Sequence, residues 1–404
     1  MGSPRKLLEG LRVVSLTGGI AGPVTARTLA QFGAEVIKLE SHNGGLDSFR
    51  YYSTSDDIEA SGRFLECNLN VRSALLNLKT ETGLKLFLEL VAKTDILVEN
   101  YRPTVLPKLG AGPDVLRKIK PDLIYLKLPG MGSTGPKNWF GTWGQTLNAI
   151  SGMTHLWNHP DQPAPVGFQG AYPDYVAGAL GPTTIMAALL RRRRTGKGVF
   201  LELAQAEMCA AILGVNYLQA LVNNDEPMPV GNTSTEYAPH NAYPCDGEDR
   251  WCAIAVQTQA QWRKLCDAMG DPKLADDPRF SSMIARHRNA AALDAIIAAW
   301  TRTRDATDVM MTLQKAGVPC GMVQRGEDLF ADPQLLARKL KHVVQHASMG
   351  EMPVTNIPIH FADAAFDAPR TMSNLGADNE HVYCGLLGYS REQLSAWEAD
   401  GVVK

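Results

Sequence analysis

The first half of the chain alternates between short apolar runs and longer stretches with helical periodicity. The apolar runs are rich in β-branched and aliphatic residues and predict buried strands, at 11–16, 35–40, 95–100, 122–128 and 199–203. The stretches between and after them predict helices, at 23–32, 80–93, 174–194 and 204–222. This alternation is typical of a largely parallel sheet with crossover helices.

The pattern changes after residue 223. The polar, proline-containing stretch 223–229 is typical of a linker. Beyond it the sequence predicts a hairpin over 243–256, helices at 259–269, 290–303 and 306–316, β structure around 343–358 and a last helix at 390–400. The predicted fold class is α/β, with three parts: a Rossmann-like parallel-sheet large domain (1–223), a smaller α+β domain (224–332) and a C-terminal segment returning to the large domain (333–404).

Composition and charge narrow the range of partners. A length of 404 residues exceeds one ordinary core and favours two domains. The net charge of −2 gives no electrostatic reason to expect nucleic acid or an anionic membrane as a partner. The seven cysteines contain no C-x-x-C pair, and without a signal peptide they predict reduced thiols in a cytoplasmic protein. No apolar stretch is long enough to span a membrane.

Asp174 is the most informative single residue. It lies in a turn rich in glycine and aromatic residues (167–178), directly before the apolar run 179–190. One interpretation is an N-cap, because an aspartate oxygen can accept from free N–H groups at a helix start. The other is a carboxylate nucleophile, surrounded by small residues that let a thioester approach the backbone. The local pattern leaves both interpretations open.

Two glycine-rich turns are similar to phosphate-binding loops without matching them. After the first strand, Thr17 occupies the place of the first glycine of the dinucleotide fingerprint, although Glu40 ends the next strand at the expected distance. In the loop 130–137, Pro136 stands where a Walker loop has lysine, and it removes a backbone donor. Nicotinamide binding is therefore disfavoured. The second loop, with Lys137, is a candidate ligand-binding loop.

The remaining polar clusters predict little chemistry by themselves. His240, in the loop 237–243, is either a hydrogen-bonded loop histidine or part of a pocket lining. The arginine run 191–194 is explained by a solvated helix C-terminus. The chain contains no H-E-x-x-H, no G-x-S-x-G and no spaced Cys/His cluster, so neither a metal site nor a serine hydrolase is predicted.

Several motifs, in order along the chain, resemble the family III CoA-transferases, which include formyl-CoA transferase and the carnitine and bile-acid CoA-transferases. They are LEGLRVVSLT (8–17), AGP (21–23), GAEVIKLE (33–40), VENYRP (98–103), the glycine loop 130–136, RTGKG (194–198), LADDPRF (274–280) and AGVPCG (316–321). The resemblance extends over residues 8–403. It implies an interlocked homodimer or a heteromer with a related subunit. It also implies no permanently bound cofactor, with coenzyme A entering as the thioester substrate.

The resemblance also implies roles for individual residues. The family's nucleophile is an aspartate before the long helix that leads to R-T-G-x-G, which is the position of Asp174. The predicted substrate-binding set comprises Ile20, Ala21, Leu76, Asn100, Tyr101, Lys108, Lys137, Gln145 and His240. Within this set Lys108 replaces an arginine and Gln145 replaces a supporting glutamate of the family. No metal ligand is predicted.

The implied reaction moves CoA from an acyl-CoA thioester to a carboxylic acid through an aspartyl anhydride and an aspartyl-CoA thioester. Backbone N–H groups of Gly170 and Gly178 are candidate oxyanion donors. The segments 239–245 and 249–256 favour a branch that uses succinyl-CoA with dicarboxylic or aromatic acids, such as benzylsuccinate. An acyl-CoA racemase of the same superfamily is the main alternative. In such a racemase a histidine is the second base, but its position is held here by Trp143, which cannot exchange a proton. A nicotinamide oxidoreductase and a non-catalytic partner subunit are further alternatives.

Overall fold

A computed structural model describes residues 6–53, 55–162, 167, 170–362, 364 and 366–404. The chain forms two compact units. The first unit consists of 1–153, 168–223 and 334–404, and the second consists of 154–167 and 224–333. The chain therefore leaves the first unit and returns to it.

A six-stranded sheet forms the centre of the first unit. Its strands are β1 (Arg12–Leu16), β2 (Glu35–Glu40), β3 (Arg72–Leu75), β4 (Ile96–Glu99), β5 (Ile124–Lys127) and β6 (Val199–Glu202). The spatial order is β3-β2-β1-β4-β5-β6, and every neighbouring pair is parallel. This is the strand order of the Rossmann fold. The predicted fold class is confirmed, and β3 is the one strand of this sheet that the hydrophobic pattern did not predict.

Ten α-helices occur among the described residues up to residue 223. They are α1 (Ala21–Gln31), α2 (Gly62–Cys67), α3 (Glu81–Ala92), α4 (Val105–Lys108), α5 (Pro113–Ile119), α6 (Gly144–Ile150), α7 (Met153–Leu156), α8 (Tyr172–Thr195), α9 (Gln205–Ile212) and α10 (Gly214–Asn223). The helix predicted over 204–222 is thus divided at Leu213. Helices α1 and α8 approach each other closely, since a Cβ on Gly178 would lie only 2.8 Å from Cγ1 of Val24. A glycine is needed there for the two backbones to approach.

The second unit is an α+β structure around a three-stranded antiparallel sheet. Its elements are β7 (His240–Pro244), β8 (Trp251–Ala255), α11 (Gln259–Met269), α12 (Met283–Arg288), α13 (Ala290–Thr301), α14 (Ala306–Ala316), β9 (Cys320–Met322) and α15 (Gly326–Ala331). Trp262, Phe280 and Ile297 are fully buried in its core. Thr258 caps α11 in a reciprocal capping box with Gln261, which explains why the predicted start of this helix is correct.

The C-terminal segment packs on the first unit. It contains α16 (Pro333–Ala337), the hairpin β10 (Lys341–His346) and β11 (Gly350–Thr355), a π-helical turn (His381–Leu386) and α17 (Arg391–Ala399). Asp378 accepts hydrogen bonds from the backbone of Ser73 at 2.9 Å and from Arg72 at 2.6 Å, so the tail holds β3 in place. No helix among the described residues is long and apolar enough to cross a membrane. The seven cysteines, all of them described, form no disulfide bond.

Candidate active site

A cavity of about 530 Å³ lies at the carboxyl ends of β1 and β4. We call it the Asp174 cavity. The turn after β1 (17–20) and the residues after β4 (100–101) both line it. The sheet order reverses between these two strands, and ligands of open α/β sheets bind at such a reversal. The cavity is therefore where the fold itself favours a ligand.

Asp174 lines this cavity from the first turn of α8. The helix begins at Tyr172 after the cap residue Ala171, so Asp174 is its third residue and the N-cap interpretation is wrong. Burial raises the pKa of Asp174 to about 6, although backbone N–H groups of Asp174 itself and of Ala21 act in the opposite direction. Since Ala21 begins α1, the carboxylate lies at the first turns of two helices, whose dipoles favour its charge. Desolvation outweighs this stabilisation.

Gly144 allows the backbone of α6 to approach this carboxylate. A Cβ at Gly144 would lie 2.3 Å from Oδ2 of Asp174 and 2.6 Å from Cβ of Ala171. Any side chain at this position would displace the carboxylate or the turn that carries it. The side of Asp174 facing α6 is thus closed by backbone, and its accessible side faces the cavity.

Two backbone donors of the turn after β1 are already engaged within the protein and are not available to a pyrophosphate. The N–H of Gly18 donates to Oδ1 of Asn100 at 3.0 Å, and the N–H of Gly19 donates to Oδ1 of Asp47 at 3.0 Å. Glu40, the residue placed for a ribose in a dinucleotide-binding fold, accepts two hydrogen bonds from Arg50 at 2.8 and 2.9 Å. These contacts argue against nicotinamide binding in the usual manner of this fold.

A second, more apolar cavity of about 330 Å³ adjoins the first, and we call it the Leu76 cavity. Leu16, Leu39 and Leu76 contribute apolar surface to it. Gly44, Gly45 and Tyr101 line both cavities, so the two spaces meet at these residues. An elongated ligand with one reactive end and one flat apolar end would fit this pair of spaces.

The sequence matches the model of CoA-transferase family III over residues 8–379. The chain belongs to CoA-transferase family III. It is 30% identical to succinyl-CoA–D-citramalate CoA-transferase of Chloroflexus aurantiacus and covers 99% of both chains. It is 29% identical to succinate–glutarate CoA-transferase of Agrobacterium fabrum, covering 94% of this chain and 95% of the relative. It is also 31% identical to the probable CoA-transferase Rv1866 of Mycobacterium tuberculosis, but spans only 49% of that relative's length.

A solved structure also supports membership of this family. A CAIB/BAIF family protein from Brucella suis superposes with a TM-score of 0.85 at 31% sequence identity, covering 95% of this chain and 100% of that chain. The family resemblance inferred from the motifs is confirmed. This family III protein is an enzyme of the CoA-transferase type.

Several of the predicted substrate-binding residues lie together. Ile20, Asn100, Tyr101 and Gln145 line the Asp174 cavity, and Leu76 lines the adjoining one. Both polar atoms of the Asn100 amide are engaged with Gly18, because Oδ1 accepts from its N–H and Nδ2 donates to its carbonyl at 2.7 Å. Asn100 therefore holds the wall of the cavity in shape.

Four other predicted residues lie outside both cavity linings. Ala21 is fully buried at the start of α1, where its N–H donates to the carboxylate of Asp174. Lys108 ends α4, whose Val105 lines the Leu76 cavity, and it is exposed. Lys137 is also exposed. His240 belongs to the second unit, where its Nδ1 lies 2.9 Å from the carbonyl oxygen of Asn232. Phe168 and Gln169, in the turn before Asp174, lie outside the described residues.

Sequence reasoning missed three residues of the Asp174 cavity. Asp47 is fully buried, bonds Gly19 and forms an ion pair with Lys38 at 2.6 Å. Gln205 is 5% exposed, and its Oε1 has no hydrogen-bond partner among the described residues. Arg63 lines the cavity from α2. No short motif marks these residues, because each reaches the cavity through contacts distant in sequence.

Proposed function

We propose that this enzyme transfers CoA from an acyl-CoA thioester to a carboxylic acid, with Asp174 as the nucleophile. The observation that carries the proposal is a carboxylate with no cationic partner among the described residues, which is desolvated in the lining of a cavity and approached by backbone on its far side. Such a carboxylate is poorly solvated and therefore more nucleophilic than one in water. Coenzyme A enters as part of the substrate, and no resident cofactor is required.

In the first half-reaction an Oδ atom of Asp174 attacks the thioester carbonyl carbon. A C–O bond forms, the C–S bond breaks, and the CoA thiolate leaves with the electron pair of that bond. The product is a mixed anhydride between Asp174 and the acyl group. The thiolate then attacks the Asp174 carbonyl carbon, which releases the donor acid as a carboxylate and leaves CoA as an aspartyl thioester.

In the second half-reaction the acceptor carboxylate repeats these steps in reverse order. Each tetrahedral intermediate requires hydrogen-bond donors for its oxyanion. Gly170 lines the cavity and is a candidate donor. Gly178 is a poor candidate, because it lies one turn inside α8, where its N–H belongs to the helix ladder.

The two adjoining cavities suggest how CoA lies in the enzyme. The thioester end would occupy the Asp174 cavity, and the rest of CoA would pass Tyr101 into the Leu76 cavity. Lys108 is exposed on α4 beside that second space, where its ammonium group is suited to a phosphate. Succinyl-CoA is the donor we propose, since two relatives are named for succinyl-CoA or succinate and for a second dicarboxylate.

Trapping with hydroxylamine tests the nucleophile. The chain is incubated with succinyl-CoA and hydroxylamine, digested and analysed by mass spectrometry. An anhydride or thioester at Asp174 is expected to yield a hydroxamate in the peptide that contains it, and the Asp174→Ala variant is expected to yield none. A hydroxamate on another carboxylate would assign the nucleophile elsewhere. Absence of any adduct with succinyl-, acetyl- and formyl-CoA would count against the transfer mechanism.

The pH dependence of CoA transfer provides a second test. The nucleophile must be ionised, and the pKa of Asp174 is raised to about 6 by burial. We therefore expect kcat/KM to be constant above pH 7 and to fall about tenfold per unit below pH 6. The profile should be measured between pH 4.5 and 8.5 with a chemically stable acyl-CoA. An acid limb that begins only near pH 4 would show that Asp174 is not desolvated in the free enzyme.

A further inference from the structure

Arg63 is the only cationic side chain among the described residues that line the Asp174 cavity. It is the second residue of α2. It forms no salt bridge with any described carboxylate, although acidic residues are close to it in sequence. Those neighbours are already paired, since Glu59 bonds Arg50 at 2.9 Å and Glu66 bonds Arg27 at 2.8 Å.

Two aromatic rings hold the Arg63 guanidinium. Its Cζ lies 5.2 Å from the ring centroid of Phe49 and 4.9 Å from that of Tyr52, and both rings also line the cavity. A cation–π contact attracts the guanidinium to the ring faces without using its N–H groups as hydrogen-bond donors to an oxygen. An arginine held in this way is suited to a bidentate contact with a carboxylate.

The charges around the cavity create a need for such a group. Asp47 and Asp174 are the carboxylates lining it, and Asp47 is neutralised by Lys38. Asp174 remains uncompensated and would repel an acid with a second carboxylate. A monocarboxylic substrate carries no second charge, because its single carboxyl group becomes the thioester or anhydride. An acyl group with a second carboxylate therefore needs a cation near Asp174, and Arg63 supplies one in the described lining of the cavity.

We propose that Arg63 determines specificity by binding the distal carboxylate of a dicarboxylic acyl group. This inference rests on the proposed function and names its substrate class: short dicarboxylic acids, both as CoA donor and as acceptor. The aromatic pair Phe49 and Tyr52 contacts the guanidinium, and α8 carries Asp174 in the lining of the same cavity. The charge of Arg63 also reaches Tyr175, the residue after Asp174. Burial raises the pKa of Tyr175, and the charge of Arg63 opposes this rise.

Isotope exchange tests the assignment without knowledge of the natural acceptor. Labelled succinate is exchanged into succinyl-CoA, and in parallel labelled butyrate is exchanged into butyryl-CoA. The two acids have the same number of carbons, and only succinate has a distal carboxylate. Wild-type enzyme is expected to favour succinate. Arg63→Met is expected to lower kcat/KM for succinate exchange roughly ten- to hundredfold and to leave butyrate exchange within about twofold.

The variants separate charge recognition from other roles. Arg63→Lys is expected to retain part of the preference for succinate, because it keeps the charge and loses the fork. An equal loss for both acids in Arg63→Met would overturn the assignment and indicate a contact with CoA itself or a role in folding. A wild-type preference for butyrate would overturn it while leaving CoA transfer intact. Exchange of neither acid by the wild-type chain would reject the proposed function, and the assignment with it.

Discussion

Replacement of Asp174 by asparagine is expected to abolish CoA transfer, with a loss in kcat on the order of 10⁴-fold or more. The amide has almost the same shape as the carboxylate but cannot attack a thioester. No other carboxylate is expected to replace it, since Asp47 is the only further one in the described lining of the cavity and forms an ion pair with Lys38. Succinate exchange and CoA binding by calorimetry are the two measurements. Binding is expected to persist within a few-fold.

The same substitution is expected to raise thermal stability at neutral pH. The pKa of Asp174 is about 6 in the folded chain, against about 3.9 in the unfolded chain. Its ionised form therefore destabilises the folded state. Its unfavourable contribution is complete above pH 6 and disappears as the pH falls to 4. The midpoint temperature of thermal unfolding should therefore be higher for Asp174→Asn than for wild type at pH 7.5, and this difference should vanish near pH 4.

A matched control exists within the chain. Asp114 also follows a proline in the first turn of a helix, but it is exposed and lies outside both cavities. Asp114→Asn is expected to leave CoA transfer unchanged and to lower the midpoint slightly, because it removes a charge that the helix dipole favours. Loss of transfer in this variant would attribute the effect at Asp174 to helix disruption. A drop in stability for Asp174→Asn at pH 7.5 would contradict its desolvation.

The hydrophobic pattern predicted most of the Rossmann-like sheet because its inner strands β1, β2, β4 and β5 are almost wholly buried and form continuous apolar runs in the sequence. The exception, β3 (Arg72–Leu75), is short and begins with an exposed arginine. It is defined by the tail, whose Asn379 accepts from the N–H of Leu75 at 2.8 Å. A strand that depends on a partner about 300 residues away in sequence leaves no local signal. The division at Leu213, by contrast, has a local signal, because Gly214 directly follows it and glycine is a weak helix former.

The candidate site was predicted in part. The motifs located Asp174 and the residues that follow β1 and β4, because a parallel sheet brings the carboxyl ends of its strands to one edge. They could not locate Arg63, because its contacts with the rings of Phe49 and Tyr52 exist only in the folded chain. They also could not assign a scaffold role to Asn100, since its bonds to Gly18 require the folded sheet.

Replacement of Arg50 by methionine is expected to destabilise the first unit by about 3–5 kcal/mol. Arg50 is fully buried, and it bonds Glu40 through two nitrogens and Glu59 through the third. Its removal would leave the Glu40 carboxylate buried without a cation. Glu40 also accepts from the N–H of Asp47 at 3.0 Å, so the loop that reaches Gly19 would loosen with it. Hydrogen exchange is the measurement, because it reports this unit separately.

The pattern of hydrogen exchange in the Arg50→Met variant should show which segments lose stability. Peptides covering β2 and residues 41–51 are expected to lose protection, whereas those covering β7–β9 of the second unit should keep it. Arg279→Met is the control, because Arg279 pairs with Asp277 at 2.7 Å while both lie near solvent, where such pairs contribute at most about 1 kcal/mol.

Combining Arg50→Met with Glu40→Gln should recover much of the protection. The amide still accepts from Asp47 and carries no charge to be left unpaired. If the double variant were less protected than the single one, the buried charge would not be the cause. The loop beneath the Asp174 cavity would then depend on the packing of the Arg50 side chain, whose Cζ lies 3.9 Å from the ring centroid of Phe64.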